Sequence, residues 1–245
     1  MRVFGITLLL LAALALPARA QHGSVRLMWT HCGAAGTNAR TFACNTNSGS
    51  DALILSFKPA NATDAIYQFE TSLTVGDQDF SLIPDWWAFV PATGCRRGLL
   101  TANAGFSSAG GACEDPWLGQ GLATVAVTPL TIIDGGVRRL RLNVVAAIPT
   151  SAAAPLDPAS EYFAVRLTLG HQKSVGTGAC AGCALPMCIA FNPGASYTVA
   201  NPANPTRTVL WTDFGESVVW NGTTSCERLV PVRNATWGAI KSLYY

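Results

Sequence analysis

The sequence predicts an all-β protein, an antiparallel β-sandwich or jelly roll crosslinked by disulfides. Three observations lead to this prediction. Apolar and polar residues alternate in several short segments, turns rich in Gly, Pro, Asn and Asp separate these segments, and eight cysteines follow an N-terminal export signal. Alternation with a period of two puts every second side chain on the same face of a strand. Short strands joined by such turns are typical of sandwiches and barrels.

Three segments alternate most clearly, and four shorter ones are rich in β-forming residues. The apolar members of the alternating segments are Tyr67, Phe69, Leu73 and Val75, then Leu140, Leu142 and Val144, then Phe163, Val165, Leu167 and Leu169. The shorter candidates are 25–30, 53–57, 122–128 and 207–212. Segment 127–144, centred on Asp134-Gly135-Gly136, predicts a β-hairpin, because Asp-Gly is a favoured hairpin turn.

Residues 1–20 have the pattern of a secretory signal peptide. An apolar run follows Arg2 and ends in an Ala-x-Ala cleavage site before Gln21. The run is shorter than the ~20 residues that a membrane span requires, so we expect cleavage, with an uncleaved anchor as the alternative. The mature chain, 21–245, is then expected to be secreted, periplasmic or on the cell surface, with no membrane span.

We expect one sandwich domain over 21–245, because strand patterns continue on both sides of the Ala- and Pro-rich run 151–159. That run is interpreted as a surface loop, and a linker between two domains is the alternative. From 201 onward the strand pattern weakens. The sequence therefore predicts a less regular C-terminal extension over 201–245.

The charge balance excludes several classes of partner. The chain has 16 Lys and Arg against 14 Asp and Glu, and because Arg2 and Arg19 belong to the signal peptide, the mature chain is close to neutral. Nucleic-acid binding requires a basic surface, so no nucleic-acid partner is expected. Charged residues make up only 12% of the chain, about half the usual share. This composition is typical of an extracellular structural or binding domain.

An even number of cysteines behind an export signal predicts disulfides. The eight are Cys32, Cys44, Cys95, Cys113, Cys180, Cys183, Cys188 and Cys226. Proximity along the chain favours the pairs Cys32–Cys44 and Cys95–Cys113, each closing a loop worth about 3 kcal/mol. We expect Cys226 to pair within the cluster formed by the remaining three.

The motif Cys180-Ala181-Gly182-Cys183 also allows two functional interpretations. It could be a redox pair, or half of a zinc site completed by Cys188 and His171. A thioredoxin-like helix start does not follow the motif, and export disfavours free thiolates. We therefore prefer disulfides and expect no metal and no cofactor.

Segment 82–117 concentrates aromatic, acidic and basic side chains, and it is the predicted binding surface. A Cys95–Cys113 bond would bring its two tryptophan clusters together, and exposed tryptophans could stack on sugar rings. The candidate ligand-binding residues are Asp85, Trp86, Trp87, Arg96, Asp115 and Trp117. The alternative is structural. The two aspartates adjoin prolines, as turn residues do, the tryptophans fill the end of the sandwich, and the Arg96-Arg97 pair forms a salt bridge with Asp85 or Glu114.

No catalytic motif is present in the sequence, and we assign no catalytic residue. The three histidines, His22, His31 and His171, are interpreted as solvated or structurally bonded. Glycoside hydrolysis remains as an alternative, because it needs only two carboxyl groups about 5–10 Å apart. The candidate acids are Asp85, Glu114, Asp115 and Glu161.

Several short elements occur together in this chain. They are Trp29-x-x-Cys32, Cys44-Asn45-Thr46-Asn47, Ser56-Phe57, Pro84-Asp85-Trp86-Trp87, Cys95-Arg96, Cys113-x-Asp115-Pro116-Trp117 and Cys180-Ala181-Gly182-Cys183. In combination, over most of the mature chain, they resemble a group of exported bacterial proteins without a known activity. The resemblance implies export and an intact fold, and it carries no catalytic residue over. We expect a secreted, non-catalytic binding or surface-structural protein whose partner is a glycan or another extracellular protein.

Overall fold

The prediction of an all-β fold is confirmed by the structure, a computed structural model. It describes residues 23–77, 79, 81–90, 92, 94–108, 113–192, 195–199, 206–210, 217–222 and 226. Within these ranges the helical elements are four short 3-10 turns, Gly33–Ala35, Asp85–Trp87, Phe106–Ser108 and Thr150–Ala152. None of the helices described is long and apolar enough to cross a membrane. The predicted signal peptide lies outside the described residues.

Thirteen strands form two sheets in the described part of the chain. They are β1 (Ser24–Trp29), β2 (Ala39–Arg40), β3 (Ser50–Lys58), β4 (Ala65–Gly76), β5 (Leu100–Asn103), β6 (Leu122–Ile133), β7 (Gly136–Ala147), β8 (Ala154–Pro155), β9 (Tyr162–Gly170), β10 (Met187–Phe191), β11 (Ser196–Val199), β12 (Thr206–Val209) and β13 (Ser217–Trp220). All seven segments predicted from alternation or composition overlap these strands. The predicted segment 207–212 ends outside the described residues.

The smaller sheet has the strand order β1-β3-β9-β5, with every pair antiparallel. The larger sheet is built around β4. β7 pairs along one edge of β4 and β6 continues beyond it, while β10 and β11 share the other edge. β13 joins β10, and β12 joins β11. Two strands of the larger sheet, β12 and β13, therefore lie inside the segment predicted to be a less regular extension.

The strands form where the alternation predicts them, because one face of each sheet is buried. In β4 the inward residues Phe69, Leu73 and Val75 have no exposed surface. Leu73 lies opposite Leu142 of β7, and Val75 lies opposite Leu140. One apolar core contains residues from both sheets and from both sides of 151–159.

The predicted hairpin is confirmed. β6 and β7 pair from Leu122–Ala147 to Ile133–Gly136, and a two-residue turn joins them. Both turn residues have positive φ angles, 50° at Asp134 and 76° at Gly135. This is the type I′ turn that matches the twist of antiparallel strands.

The disulfide pairing differs from the prediction at two of three points. The bonds are Cys32–Cys113, Cys44–Cys183, Cys95–Cys180 and Cys188–Cys226. Only the expected return of Cys226 to the C-terminal cysteine cluster is right. Three of the bonds join positions 81 to 139 residues apart, because the sandwich brings distant loops together at the ends of its sheets. Disulfides persist in oxidising compartments, so the four bonds favour an environment outside the cytoplasm.

Candidate functional site

The three tryptophans predicted to stack on sugar rings are buried. Trp86, Trp87 and Trp117 each have 0% of their surface exposed. Trp86 stacks on Trp220 with ring centroids 5.1 Å apart, and Trp87 meets Trp220 edge-on at 5.6 Å. A ring without an exposed face cannot stack on a ligand. The stacking hypothesis is therefore wrong for these three tryptophans, which are structural, as the alternative interpretation expects.

The two tryptophan clusters also lie at opposite ends of β9. Trp117 Nε1 donates a hydrogen bond to the carbonyl of Ala164 at 2.9 Å, near the start of the strand. Arg96, which lies over the ring of Trp86, donates to the carbonyl of Gly170 at the end of the strand. Six residues of strand span about 20 Å. The predicted single surface over 82–117 is therefore not assembled, because Cys95 and Cys113 are bonded elsewhere.

Arg96 is fully buried and does not form the predicted salt bridge with Asp85 or Glu114. Its guanidinium carbon lies 3.4 Å from the centroid of the Trp86 ring, a cation–π contact. Nη1 donates to the carbonyl of Trp86 at 2.8 Å. Burial lowers the pKa of Arg96 to about 9, because a low-dielectric environment disfavours the charged form. Arg96 thus fixes the aromatic cluster instead of binding a ligand.

The candidate carboxylates do not form a catalytic pair across segment 82–117. Asp85 precedes Trp86 and lies near the end of β9. Glu114 lies near the start of β9, beside Trp117, where its backbone N–H donates to the carbonyl of Glu161 at 2.9 Å. The two ends are about 20 Å apart along β9, farther than the ~10 Å limit for glycoside hydrolysis. Asp85 is therefore not a catalytic partner of the acids at the other end.

The acids at the Trp117 end already have structural partners. Asp115 accepts the backbone N–H groups of Trp117 and Gly119, both at 2.8 Å. Glu161 accepts Ser56 Oγ at 2.5 Å and pairs with Arg26 at 3.0 Å. Asp115 is thus a turn residue, as the structural interpretation expects. Glu161 joins β1 and β3 to the start of β9.

Among the described residues, the arrangement most like a catalytic dyad consists of His171 and Asp51. His171 Nε2 lies 2.7 Å from Asp51 Oδ2, and Nδ1 lies 2.9 Å from the carbonyl of Ser48. Arg40 pairs with the other oxygen of Asp51, and Phe42 stacks on the imidazole at 3.8 Å. Because both ring nitrogens are bonded within the fold, neither can accept a proton from a substrate. His171 is structurally bonded, as predicted.

The zinc alternative is wrong, because the sulfur atoms it requires are engaged in disulfides. Cys180 is bonded to Cys95, Cys183 to Cys44, and Cys188 to Cys226. A group of three metal-binding side chains occurs among the described residues at Cys32, Cys113 and Glu161, and its two cysteines are bonded to each other.

The feature that stands out instead is the connection between β9 and β10, residues 171–186, which we call the Cys180 loop. It has no regular secondary structure and exceeds the ~12–15 residues beyond which such loops are uncommon and often functional. Two disulfides hold it, one from Cys95 to Cys180 and one from Cys44 to Cys183. The sequence signal for this site was the C-A-G-C motif, which we interpreted as a source of disulfides, with a redox pair or half of a zinc site as the alternatives.

Backbone hydrogen bonds fix the Cys180 loop further. The N–H of Trp86 donates to the carbonyl of Ala181 at 2.9 Å, and Trp220 Nε1 donates to the carbonyl of Cys183 at 2.9 Å. Gly182 has a φ of +88°, and a Cβ there would lie 2.4 Å from Cβ of Pro84. Only glycine fits this position. The buried residues Trp86 and Trp220 therefore hold the Cys180 loop in place through these hydrogen bonds.

The surface of the Cys180 loop carries an open cleft of about 550 Å³. Its lining consists of Ser174, Ala179, Cys180, Ala181, Gly182, Cys183, Ala184 and Leu185. The side chain of Leu185 is 52% exposed, and no charged side chain lines the cleft. Asp85 is exposed. It lies beside the cleft, because the N–H of the next residue, Trp86, donates to the carbonyl of Ala181. Of the predicted ligand-binding residues near this surface, Asp85 is exposed, whereas Trp86 and Arg96 are buried.

Comparisons with known proteins do not place the chain in a family. No family model matches it, and no curated protein matches it. Among solved structures it is similar to a cohesin module from a family 33 glycoside hydrolase of Clostridium perfringens ATCC13124, with a TM-score of 0.38 and 10% sequence identity over 81% of this chain and 93% of that one. A similarity of this size defines neither a shared fold nor a shared function. The resemblance to exported bacterial proteins stays a prediction.

Proposed function

We propose that the protein is an exported, non-catalytic binding protein that uses the Cys180 loop to bind an apolar surface of a partner protein. One observation carries the proposal: two of the four disulfides end on Cys180 and Cys183, next to the exposed residues Ala181 and Ala184. Binding residues are found disproportionately on loops that a rigid scaffold positions.

The rigidity of the Cys180 loop favours binding energetically. Ordering a mobile loop on association costs free energy, about 0.5–1.5 kcal/mol for each flexible side chain that is immobilised. The disulfides and the hydrogen bonds from Trp86 and Trp220 already fix this loop before any partner arrives. The exposed residues near the turn are mostly alanines with one leucine, and alanine has no rotamer freedom to lose.

The chemistry of the cleft favours a protein partner over a glycan. Sugar binding in clefts relies on aromatic faces and directed polar groups, and the tryptophans beneath the loop are buried. The cleft itself offers the methyl groups of its alanines and the exposed side chain of Leu185. These groups complement an apolar side chain inserted by a partner.

Selection from a displayed random-peptide library tests the proposal. The oxidised mature protein is immobilised, and the enriched peptides are titrated against the wild type and Leu185→Asp. We expect peptides with an apolar anchor, and a loss of affinity of at least tenfold in Leu185→Asp, because a buried unpaired carboxylate opposes binding.

The matched control is Leu122→Asp, since Leu122 is a leucine that is 79% exposed on β6, away from the cleft. It should leave the affinity of the peptides unchanged. Failure to enrich any peptide, or enriched peptides that Leu185→Asp binds as tightly as the wild type does, would overturn the proposal. A glycan array probed with the same protein is expected to show no binding.

A further inference from the structure

We propose that Cys180-Ala181-Gly182-Cys183 is a thiol–disulfide exchange site. A dithiol reductant converts the two disulfides of the Cys180 loop into one bond between Cys180 and Cys183. Cys44 and Cys95 are left as thiols. The loop then loses both of its covalent tethers to the rest of the sandwich.

The two cysteines of the motif are separated by two residues at which the chain turns. Residues 181–184 form a turn, the N–H of Leu185 donates to the carbonyl of Gly182 at 3.2 Å, and Gly182 has a φ of +88°. Disulfides span ~4.4–6.8 Å between Cα atoms. Because the chain turns between Cys180 and Cys183, a bond between them needs only a local movement of the backbone.

The exposure of the sulfur-bearing residues decides which disulfides react. Cys44 and Cys95 are partly exposed, whereas their partners Cys180 and Cys183 are 4% and 5% exposed. In the other two disulfides every cysteine is buried, with at most 7% exposure. Exchange requires access of the attacking thiolate to a sulfur. A reductant therefore reaches the tethers of the Cys180 loop before it reaches the other bonds.

The reaction proceeds in three displacements. A thiolate of the reductant attacks Sγ of Cys95, and Cys180 leaves as a thiolate. The Cys180 thiolate attacks Sγ of Cys183, which forms the Cys180–Cys183 bond and expels Cys44 as a thiolate. The second thiol of the reductant then displaces Cys95 and becomes part of the reductant's own disulfide. Two electrons and two protons pass to the protein, which ends with one disulfide fewer and two thiols more.

The leaving group of the second displacement has a hydrogen-bond donor nearby. Nδ2 of Asn221 lies 3.8 Å from Sγ of Cys44, and Oδ1 of Asn221 accepts the N–H of Phe42 at 2.7 Å. This bond orients the amide so that its N–H₂ group faces Cys44. A donor beside a thiolate stabilises the charged form. This contact favours Cys44 as the leaving group.

Limited reduction followed by disulfide mapping tests the proposal. The folded protein is treated with one equivalent of dithiothreitol, quenched with N-ethylmaleimide, digested and analysed by mass spectrometry. We expect two labels for each reduced molecule, on Cys44 and Cys95, together with a peptide containing the Cys180–Cys183 bond. Labels on Cys95 and Cys180, on Cys44 and Cys183, or on cysteines of the other two disulfides would overturn the proposal.

The double variant Cys44→Ser with Cys183→Ser provides the matched control. It lacks the acceptor disulfide, so the Cys180 thiolate formed by reduction has no neighbouring bond to attack. The same treatment should then place the labels on Cys95 and Cys180. Identical labelling of Cys95 and Cys180 in the wild type and the variant would show simple reduction without exchange.

Discussion

Replacing Cys44 and Cys183 together by alanine is expected to lower the free energy of unfolding by about 4 kcal/mol. In a chain without other crosslinks this bond would close a loop with a sequence separation of 139, which corresponds to about 5 kcal/mol. The disulfides of Cys32 and Cys95 shorten the loop in the unfolded chain. A covalent path through both of them connects the two positions over only about 33 residues, which reduces the expected loss to about 4 kcal/mol.

Urea unfolding of the oxidised protein, followed by tryptophan fluorescence, measures this loss, because the emission of Trp86 and Trp220 depends on their burial beneath the Cys180 loop. Mass spectrometry of the variant confirms that the other three disulfides are intact. Leu122→Ala is the control, since substitutions at exposed positions usually change stability by less than about 0.5 kcal/mol. A loss below about 1 kcal/mol in the double variant would refute the view that this bond restrains the unfolded chain.

Three further predictions concern buried titratable side chains. Raising the pH above about 9 should stabilise the wild type relative to Arg96→Met in urea unfolding. Burial lowers the pKa of Arg96 to about 9 in the folded protein, so above this pH the unfolded chain binds more protons at Arg96 than the folded chain does. A pH-independent difference between the two proteins would contradict this. Tyr197→Phe should lower the free energy of unfolding most below about pH 10 and less as the pH approaches 12, because burial and a hydrogen bond to Asp64 raise the pKa of Tyr197 to about 12. A loss of stability that grows with pH would contradict this. Asp51→Asn should lower stability by about 3 kcal/mol, since it removes a buried carboxylate that bonds both His171 and Arg40, and an unchanged Tm would refute this.

The strands could be predicted because their signal is local. The alternation in β4, β7 and β9 reflects one buried face, and the Asp134-Gly135 turn has a residue preference of its own. β10 gives no such signal, since all five of its residues are buried. A uniformly buried strand has no alternation to detect.

The candidate site could not be predicted because it depends on distant parts of the chain. Cys32 pairs with Cys113 and not with Cys44, since chain proximity says nothing about which loops meet at the end of a sandwich. The sequence around Trp86 and Trp117 does not distinguish an exposed tryptophan from a buried one. Their burial follows only from the position of the loops that contain them relative to β9.

Hydrogen–deuterium exchange of the oxidised protein, with and without a peptide selected from the library, tests the proposed binding surface most directly. The account predicts slower exchange in the peptide complex for amides between Ser174 and Leu185, and unchanged exchange in the β6–β7 hairpin. Protection of the hairpin, or of any other surface, with no change in the Cys180 loop would contradict it.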